Sequence, residues 1–293
     1  MFATLPRNRF PTAAAYASLV KLQLCLFVAL SGFWGYVLYR PQFTRQAVFT
    51  TLSILSLACG AAVWNNVQDR QFDRRFSRTR KRPLPAGRVS VPAAKGIAAI
   101  HIAFGLFGLG WSAANALPLL LGVASLVLYN GIYTPLKKRT VLSIFPGAVC
   151  GMLPPYIGWL AAGGSGFTPV IGSVMLIVGL WQFPHFWLVL VRNDTEFSKL
   201  PHTNMLQLFS PKQLRQIQTV WVGAIVAAIA CLPLVYRFRY EPIFWAVYAL
   251  GLFALSVFLG SSFRRTAWSG LHFLLLNALL LALMAGMICD RLL

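Results

Sequence analysis

Apolar residues in this chain neither alternate nor recur sparsely; they fill long runs separated by short polar breaks. Runs near twenty residues match the helix length that crosses a hydrocarbon core, about 20 residues. Nine are predicted, near 18–39, 46–66, 91–113, 116–133, 143–162, 168–190, 214–235, 242–260 and 268–289. The third and fourth are joined by a tight turn near Asn115 and Pro118. Glycine and proline inside the runs are ordinary in membrane helices. No internal repeat is visible. The fold class predicted is all-α: a polytopic membrane bundle of about nine transmembrane helices, forming a single domain over residues 1–293. The first run has no obvious small-residue cleavage site and reads as a retained span, not a secretory signal.

Charge orients the bundle. Of the Lys and Arg residues, 21 fall before or at the start of the first run or after the second, fourth, sixth and eighth, and five (Arg40, Arg45, Arg237, Arg239, Arg291) fall on the other side. The positive-inside rule then predicts a cytoplasmic N-terminus and an outer C-terminus. Composition agrees with residence in lipid. The chain is 58% hydrophobic and 11% charged, where a soluble domain carries about 25% charged residues. The net charge of +20 does not point to nucleic acid, because the cations lie in short loops and not on a soluble basic face. A basic rim against anionic lipid accounts for it. The five cysteines are scattered without a CxxC pair, which argues against a disulfide framework or a zinc site and for small buried apolar residues.

Scarcity locates the chemistry. Glu241 and Asp290, two of only six acids, fall at span ends on the outer side and read as interfacial. The other four form two pairs at the cytoplasmic ends of even-numbered spans. In W64-N-N-V-Q-D-R-Q-F-D-R-R, Asn65, Asp69 and Asp73 are four apart and share a helix face. Carboxylates at that spacing repel each other, and a helix C-terminus disfavours negative charge. Something cationic must offset both effects. Neighbouring arginines could do so; Mg²⁺ held by carboxylates, water and substrate phosphates fits better. The basic run from Arg70 to Arg88, with Arg74, Arg78 and Arg82, suits phosphate oxygens, which arginine grips in forked, charge-assisted bonds. Asp194 and Glu196, two apart, cannot share a face of a straight helix, so span six is expected to end near Asn193.

These residues resemble the UbiA-like intramembrane prenyltransferase superfamily. Asn65, Asp69 and Asp73 match its N-x-x-x-D-x-x-x-D motif; Tyr133 and Lys137 match its Y-x-x-x-K element; Asp194 and Glu196 match its second acidic motif loosely. Within the superfamily the chain is similar to the protohaem IX farnesyltransferase (haem O synthase) branch, through R78-T-R-K-R-P-L-P-A-G-R-V-S, L153-P-P-Y-I-G-W and W181-Q-F-P-H-F-W. The resemblance covers roughly residues 60–200. It departs from the branch at the second acidic motif, where Asp194 is one place off and Glu196 stands for an aspartate, and it lacks a proline before Met205.

The resemblance implies a multi-pass enzyme of a bacterial inner membrane with a cytoplasm-facing cavity. Its substrates would be farnesyl diphosphate and haem b, its cofactor Mg²⁺, its product haem O. Asp69, Asp73, Asp194 and Glu196 would hold metal. Asn65, Arg74, Arg78, Arg82 and Lys137 would bind the diphosphate, with Tyr133 and Lys137 beside the reacting centre. His185 is a candidate haem contact, His202 a weaker one, and His101 and His272 are ordinary span residues. Candidate π faces for the allylic cation are Trp64, Tyr133, Tyr156, Trp159, Phe186 and Trp187. Terminal-oxidase assembly or haem A synthesis machinery would be possible partners. Two other readings stay open: a relative with a quinone-precursor, chlorophyllide or lipid acceptor, and a transporter or lipid-binding membrane protein, whose polar groups should lie at mid-membrane between repeats.

Overall fold

The computed structural model describes residues 12–113, 115–193, 205–260 and 268–293. These residues form helices α1 (Ala13–Val20), α2 (Leu22–Tyr39), α3 (Arg45–Asp73), α4 (Val91–Ser112), α5 (Leu117–Leu136), α6 (Ile144–Ala161), α7 (Pro169–Arg192), α8 (Pro211–Ala230), α9 (Glu241–Gly260) and α10 (Trp268–Leu292), with no strand among the described residues. Helices α2 to α10 are the nine long and apolar enough to cross a membrane. Side-chain caps start several of them. Thr44 accepts from the Ala47 amide, Ser90 from Ala93, and Ser210 with Gln213 forms a capping box.

Two boundaries and one helical pitch differ from expectation, each for a local reason. The first span begins four residues late because the chain turns at Lys21, which takes φ 53° and ψ 49° while its amide closes α1 onto Ala17 and Ser18 carbonyls. The second span runs on to Asp73, about two turns beyond the apolar run, so the acidic motif is part of the helix itself. The fourth span changes pitch: Val127–Tyr133 is π-helical.

Helices in lipid gain little from hydrophobicity against each other and rely on close packing. A Cβ at Gly35 would lie 1.8 Å from the Pro155 carbonyl oxygen, and one at Gly158 would lie 1.8 Å from that of Gly32, so α2 and α6 touch backbone to backbone. The end of the bundle away from the basic loops is tied shut. Gln46 Nε2 donates to the Ser112 and Ala161 carbonyls at 2.6 and 3.0 Å, joining the ends of α3, α4 and α6. Arg291 on α10 donates to the Leu38 carbonyl of α2 at 3.0 Å.

Two sequence expectations are corrected here. Asp290 is fully buried, not interfacial; Tyr236 and Tyr240 fold back over it and donate to its oxygens. Cys231 and Cys289 are exposed and Cys150 is half-buried; only Cys25 and Cys59 are buried. An outer surface facing lipid accepts a thiol as readily as a core does. Glu241 is exposed in the first turn of α9, as expected.

Candidate active site

The four-residue spacing of Asn65, Asp69 and Asp73 places all three on the inner face of α3, each under 5% exposed. Two buried carboxylates one turn apart demand compensation, and cations from three other segments supply it. Lys137 pairs with Asp69 Oδ2 and Lys138 lies 2.7 Å from Asp69 Oδ1, both just beyond α5. Arg82 Nη1 lies 2.9 Å from Asp73 Oδ2. Lys21 Nζ donates to Asn65 Oδ1 at 2.6 Å, which turns the Asn65 amide nitrogen toward Asp69 Oδ2 at 3.0 Å and Thr134 Oγ1 at 2.9 Å. Two carboxylates thus face four cations (Lys21, Lys137, Lys138 and Arg82). Burial pushes the Lys21 ammonium down to about 7; Lys137 and Arg82 add to this, and Asp69 and Asp73 oppose it. Burial also lowers Lys137, with Asp69 opposing. Excess positive charge at this cost is what an anion-binding site requires.

The π-helical turn brings α5 into register with this cluster. Asn130 Nδ2 donates to the Ala61 carbonyl at 3.0 Å and Gln68 Nε2 donates back to the Asn130 carbonyl at 2.8 Å, locking α5 to α3. Tyr129 and Tyr133 then stack, ring centroids 5.5 Å apart, with the Lys137 ammonium 5.5 Å from the Tyr133 ring. π-Turns inside α-helices are frequent at functional sites. The loop after α3 is pinned by Thr79 Oγ1, which donates to the Asp73 carbonyl at 2.8 Å, and by buried Phe76 and Leu84.

Below the charges a cavity of about 570 Å³ runs into the bundle. On α3 its lining extends from Asp73 back to Ile54, roughly 28 Å at about 1.5 Å per residue. Asn65, Asp69, Asp73, Arg78, Arg82 and Lys137 line its polar end, Val28, Leu57 and Ile157 its apolar end, and Tyr133, Phe186 and His185 its walls. His185 packs between Trp181 and Phe273, with ring centroids 4.2 and 5.0 Å away, and bonds Asn277; its Nδ1 is buried with no partner among the described residues.

Several expected residues stand elsewhere. Arg74 is exposed and does not line the cavity: one residue past Asp73, it is rotated about 100° from the acidic face. Trp64 is exposed for the same reason, one position before Asn65. Trp159 and Trp187 are buried in packing clusters, and neither they nor Tyr156 line the cavity. His101 joins helices, bonded to Tyr16 and Ser56, while His272 packs edge-on against Phe258. Asp194, Glu196 and His202 lie outside the described residues; α7 ends at Arg192, ahead of them, as their spacing requires. Sequence reasoning missed Lys21, Lys138 and Tyr129. The lysines were absorbed into the topological charge count, although Lys138 sits beside the motif lysine; a π-turn carries no periodicity signal for Tyr129.

A family model for UbiA prenyltransferases matches residues 25–276. The chain belongs to the UbiA prenyltransferase family. A relative from Nitratidesulfovibrio vulgaris, a protoheme IX farnesyltransferase, is 32% identical over 96% of each chain. Another protoheme IX farnesyltransferase, from Oleidesulfovibrio alaskensis, is 36% identical over 75% of this chain and 77% of that one. Solved UbiA homologues share the fold. One from Archaeoglobus fulgidus, bound to GPP and Mg²⁺, superposes with TM-score 0.75 at 18% identity over 94% of this chain and 98% of its own. One from Aeropyrum pernix gives TM-score 0.74 at 21% identity, over 92% and 98%. This UbiA-family chain is therefore a multi-pass integral membrane prenyltransferase.

Proposed function

We propose that this protein is a protohaem IX farnesyltransferase, joining the prenyl group of farnesyl diphosphate to haem b to give haem O and diphosphate. The observation that carries the reading is a single cavity with a cation-rich, carboxylate-bearing mouth and an apolar floor. That shape suits an amphiphile with an anionic head and a long hydrocarbon tail. Similarity along nearly the whole length of the Nitratidesulfovibrio vulgaris protein favours haem as the acceptor.

The residues present fit Mg²⁺. Asp69 and Asp73 are buried, one turn apart, and already carry cationic partners in place of a metal. Mg²⁺ needs only one or two protein carboxylates when water and phosphate complete its shell. Asp69 and Asp73 would hold it, with Asp194 and Glu196 as the second acidic pair, and it would neutralise charge on the departing diphosphate. Lys21, Lys137, Arg78 and Arg82 bind phosphate oxygens and stabilise the same leaving group. Asn65 keeps Asp69 aligned. Tyr133 and Tyr129 present π faces to the allylic cation as the carbon–oxygen bond breaks. The cation is attacked by a vinyl group of haem b, and water captures the carbon cation that remains. His185 offers its Nδ1, which has no partner among the described residues, to the haem iron. The basic end faces the cytoplasm of a bacterial inner membrane, with the N-terminus on that side and the oxidase or haem A machinery taking the product.

Purified protein incubated with Mg²⁺, farnesyl diphosphate and haem b should yield haem O by mass. Prenylation of a quinone precursor or chlorophyllide, with haem b untouched, overturns the acceptor. No product with any acceptor overturns the enzyme reading.

A further inference from the structure

The cavity holds a second polar feature, one turn deeper than the charged mouth. Glycines at 147 and 151 make two adjacent notches on α6. A Cβ at Gly147 would lie 3.1 Å from the Tyr133 ring, and one at Gly151 would lie 1.9 Å from Gln182 Nε2. The Tyr133 ring from α5 and the Gln182 amide from α7 therefore sit against α6 one helical turn apart. The Gln182 side chain lines the cavity, and its amide has no hydrogen-bond partner among the described residues. Pro155, four residues after Gly151, has no N–H to give, so the Gly151 carbonyl loses its ordinary helical donor at the same notch. A free amide on the cavity wall, against the glycine whose carbonyl lacks its helical donor, is a place for a water molecule, which needs two or more polar partners.

We propose that Gln182 and the Gly151 carbonyl hold the water that ends the reaction, making Gln182 a positioning residue for the nucleophile. The inference rests on the haem reading above. The chemistry explains the residue type. As the prenyl C1–oxygen bond breaks, its electron pair leaves with the diphosphate. The vinyl π pair forms the new carbon–carbon bond and leaves a cation on the vinyl carbon attached to the porphyrin ring. A water oxygen gives a lone pair to that carbon and releases its proton to the freed diphosphate. A carboxylate at this position would capture the cation itself. An amide is a much weaker nucleophile, yet its oxygen accepts a water hydrogen and turns the lone pair inward. Without an oriented water, the cation sheds a proton from the neighbouring carbon and gives an alkene lighter by one water.

The test reads product identity as well as rate. Full-length protein in detergent is given Mg²⁺, farnesyl diphosphate and haem b, and the prenylated porphyrins are weighed. Gln182→Leu should raise the ratio of dehydrated to hydroxylated product on the order of tenfold or more, the scale of one lost oriented hydrogen bond. Gly151→Ala, which keeps Gln182 but displaces its amide, should move the ratio the same way. A wild-type ratio in both Gln182→Leu and Gly151→Ala overturns the proposal, even if turnover falls, because a purely structural or haem-binding role slows the reaction without changing the product. If one variant fails to fold by thermal melting, the other decides. Wild-type protein that makes no hydroxylated porphyrin sinks the haem reading instead.

Discussion

The bundle buries carboxylates at both ends, and the two sites are built on opposite plans. At the closed end Asp290 accepts from the Tyr236 hydroxyl at 2.7 Å and the Tyr240 amide at 2.8 Å. These donors are neutral, and Arg291 beside it is turned to the Leu38 carbonyl and the Tyr236 ring. Its protein partners satisfy that carboxylate, and burial raises the Tyr236 phenol that donates to it. At the basic end Asp69 and Asp73 face twice their number in cations. No structural need calls for four. A buried charge that is matched within the protein is a tie between segments; one over-matched beside a cavity awaits a ligand of its own sign.

Mutation should separate the two plans sharply. Asp69→Ala or Asp73→Ala is expected to lower transfer by at least about 100-fold, in the range of a lost electrostatic contact at a transition state. Insertion and melting temperature should hold, since cations crowded at the mouth can rotate to water. Excess chelator should reproduce that loss in the wild-type protein. Full activity in either variant, or in chelator, breaks the comparison at its functional end. Asp290→Ala should do the reverse. It removes two hydrogen bonds to a charged group, about 1.5–3 kcal/mol each, and should lower the melting temperature while leaving kcat per folded molecule unchanged. Lost activity at unchanged stability would mean that the closed end also serves the reaction.

Hydropathy made most of the fold legible, because membrane helices announce themselves by length and apolarity alone. Its failures occurred where polar residues continue a helix. The apolar run stops near residue 66, yet α3 continues for two more turns to Asp73, as the shared face of Asn65, Asp69 and Asp73 implied, since backbone bonds persist outside hydrocarbon as well as within it. The acidic face could be read from the four-residue spacing, and its burial confirms the geometry of that reading. The partners could not be read: Lys21 reaches Asn65 from 44 positions away, and only the left-handed turn before α2 aims it there. The π-turn was invisible because periodicity assumes 3.6 residues per turn. Asp290 was misplaced because a residue at a span end was judged by position, while the segment covering it, Tyr236 to Tyr240, lies 50 to 54 residues earlier.

Lys21 sharpens the comparison at intermediate size. It holds a left-handed backbone that costs a non-glycine residue on the order of 1–3 kcal/mol, and its side chain is half-buried at the cavity wall. If that strain serves to present a cation to phosphate, Lys21→Met should raise the KM for farnesyl diphosphate on the order of tenfold, a loss of about 1.4 kcal/mol, while the KM for haem stays put. Equal rises in both would mark Lys21 as a structural tie like Asp290.

The smallest expected effect belongs to Arg74. It is adjacent in sequence to the buried Asp73 carboxylate and part of the same basic run as Arg82, so a reading by sequence alone gives both the same role. The helix gives them different ones: Arg82 returns from the loop to sit 2.9 Å from Asp73, while Arg74 projects from the side of α3 that carries no acid. Arg74→Ala should therefore change transfer by less than about twofold, as expected for an exposed side chain without a specific partner. Arg82→Ala leaves Asp73 without its ion pair and removes a proposed phosphate ligand, so it should lose tenfold or more. Assaying the two variants side by side, at saturating and limiting farnesyl diphosphate, tests whether charge or position matters at this mouth. Equal losses would mean that the loop after Asp73 rearranges around the diphosphate and brings Arg74 inward. The count of four cations facing the acids would then describe the resting site and not the working one.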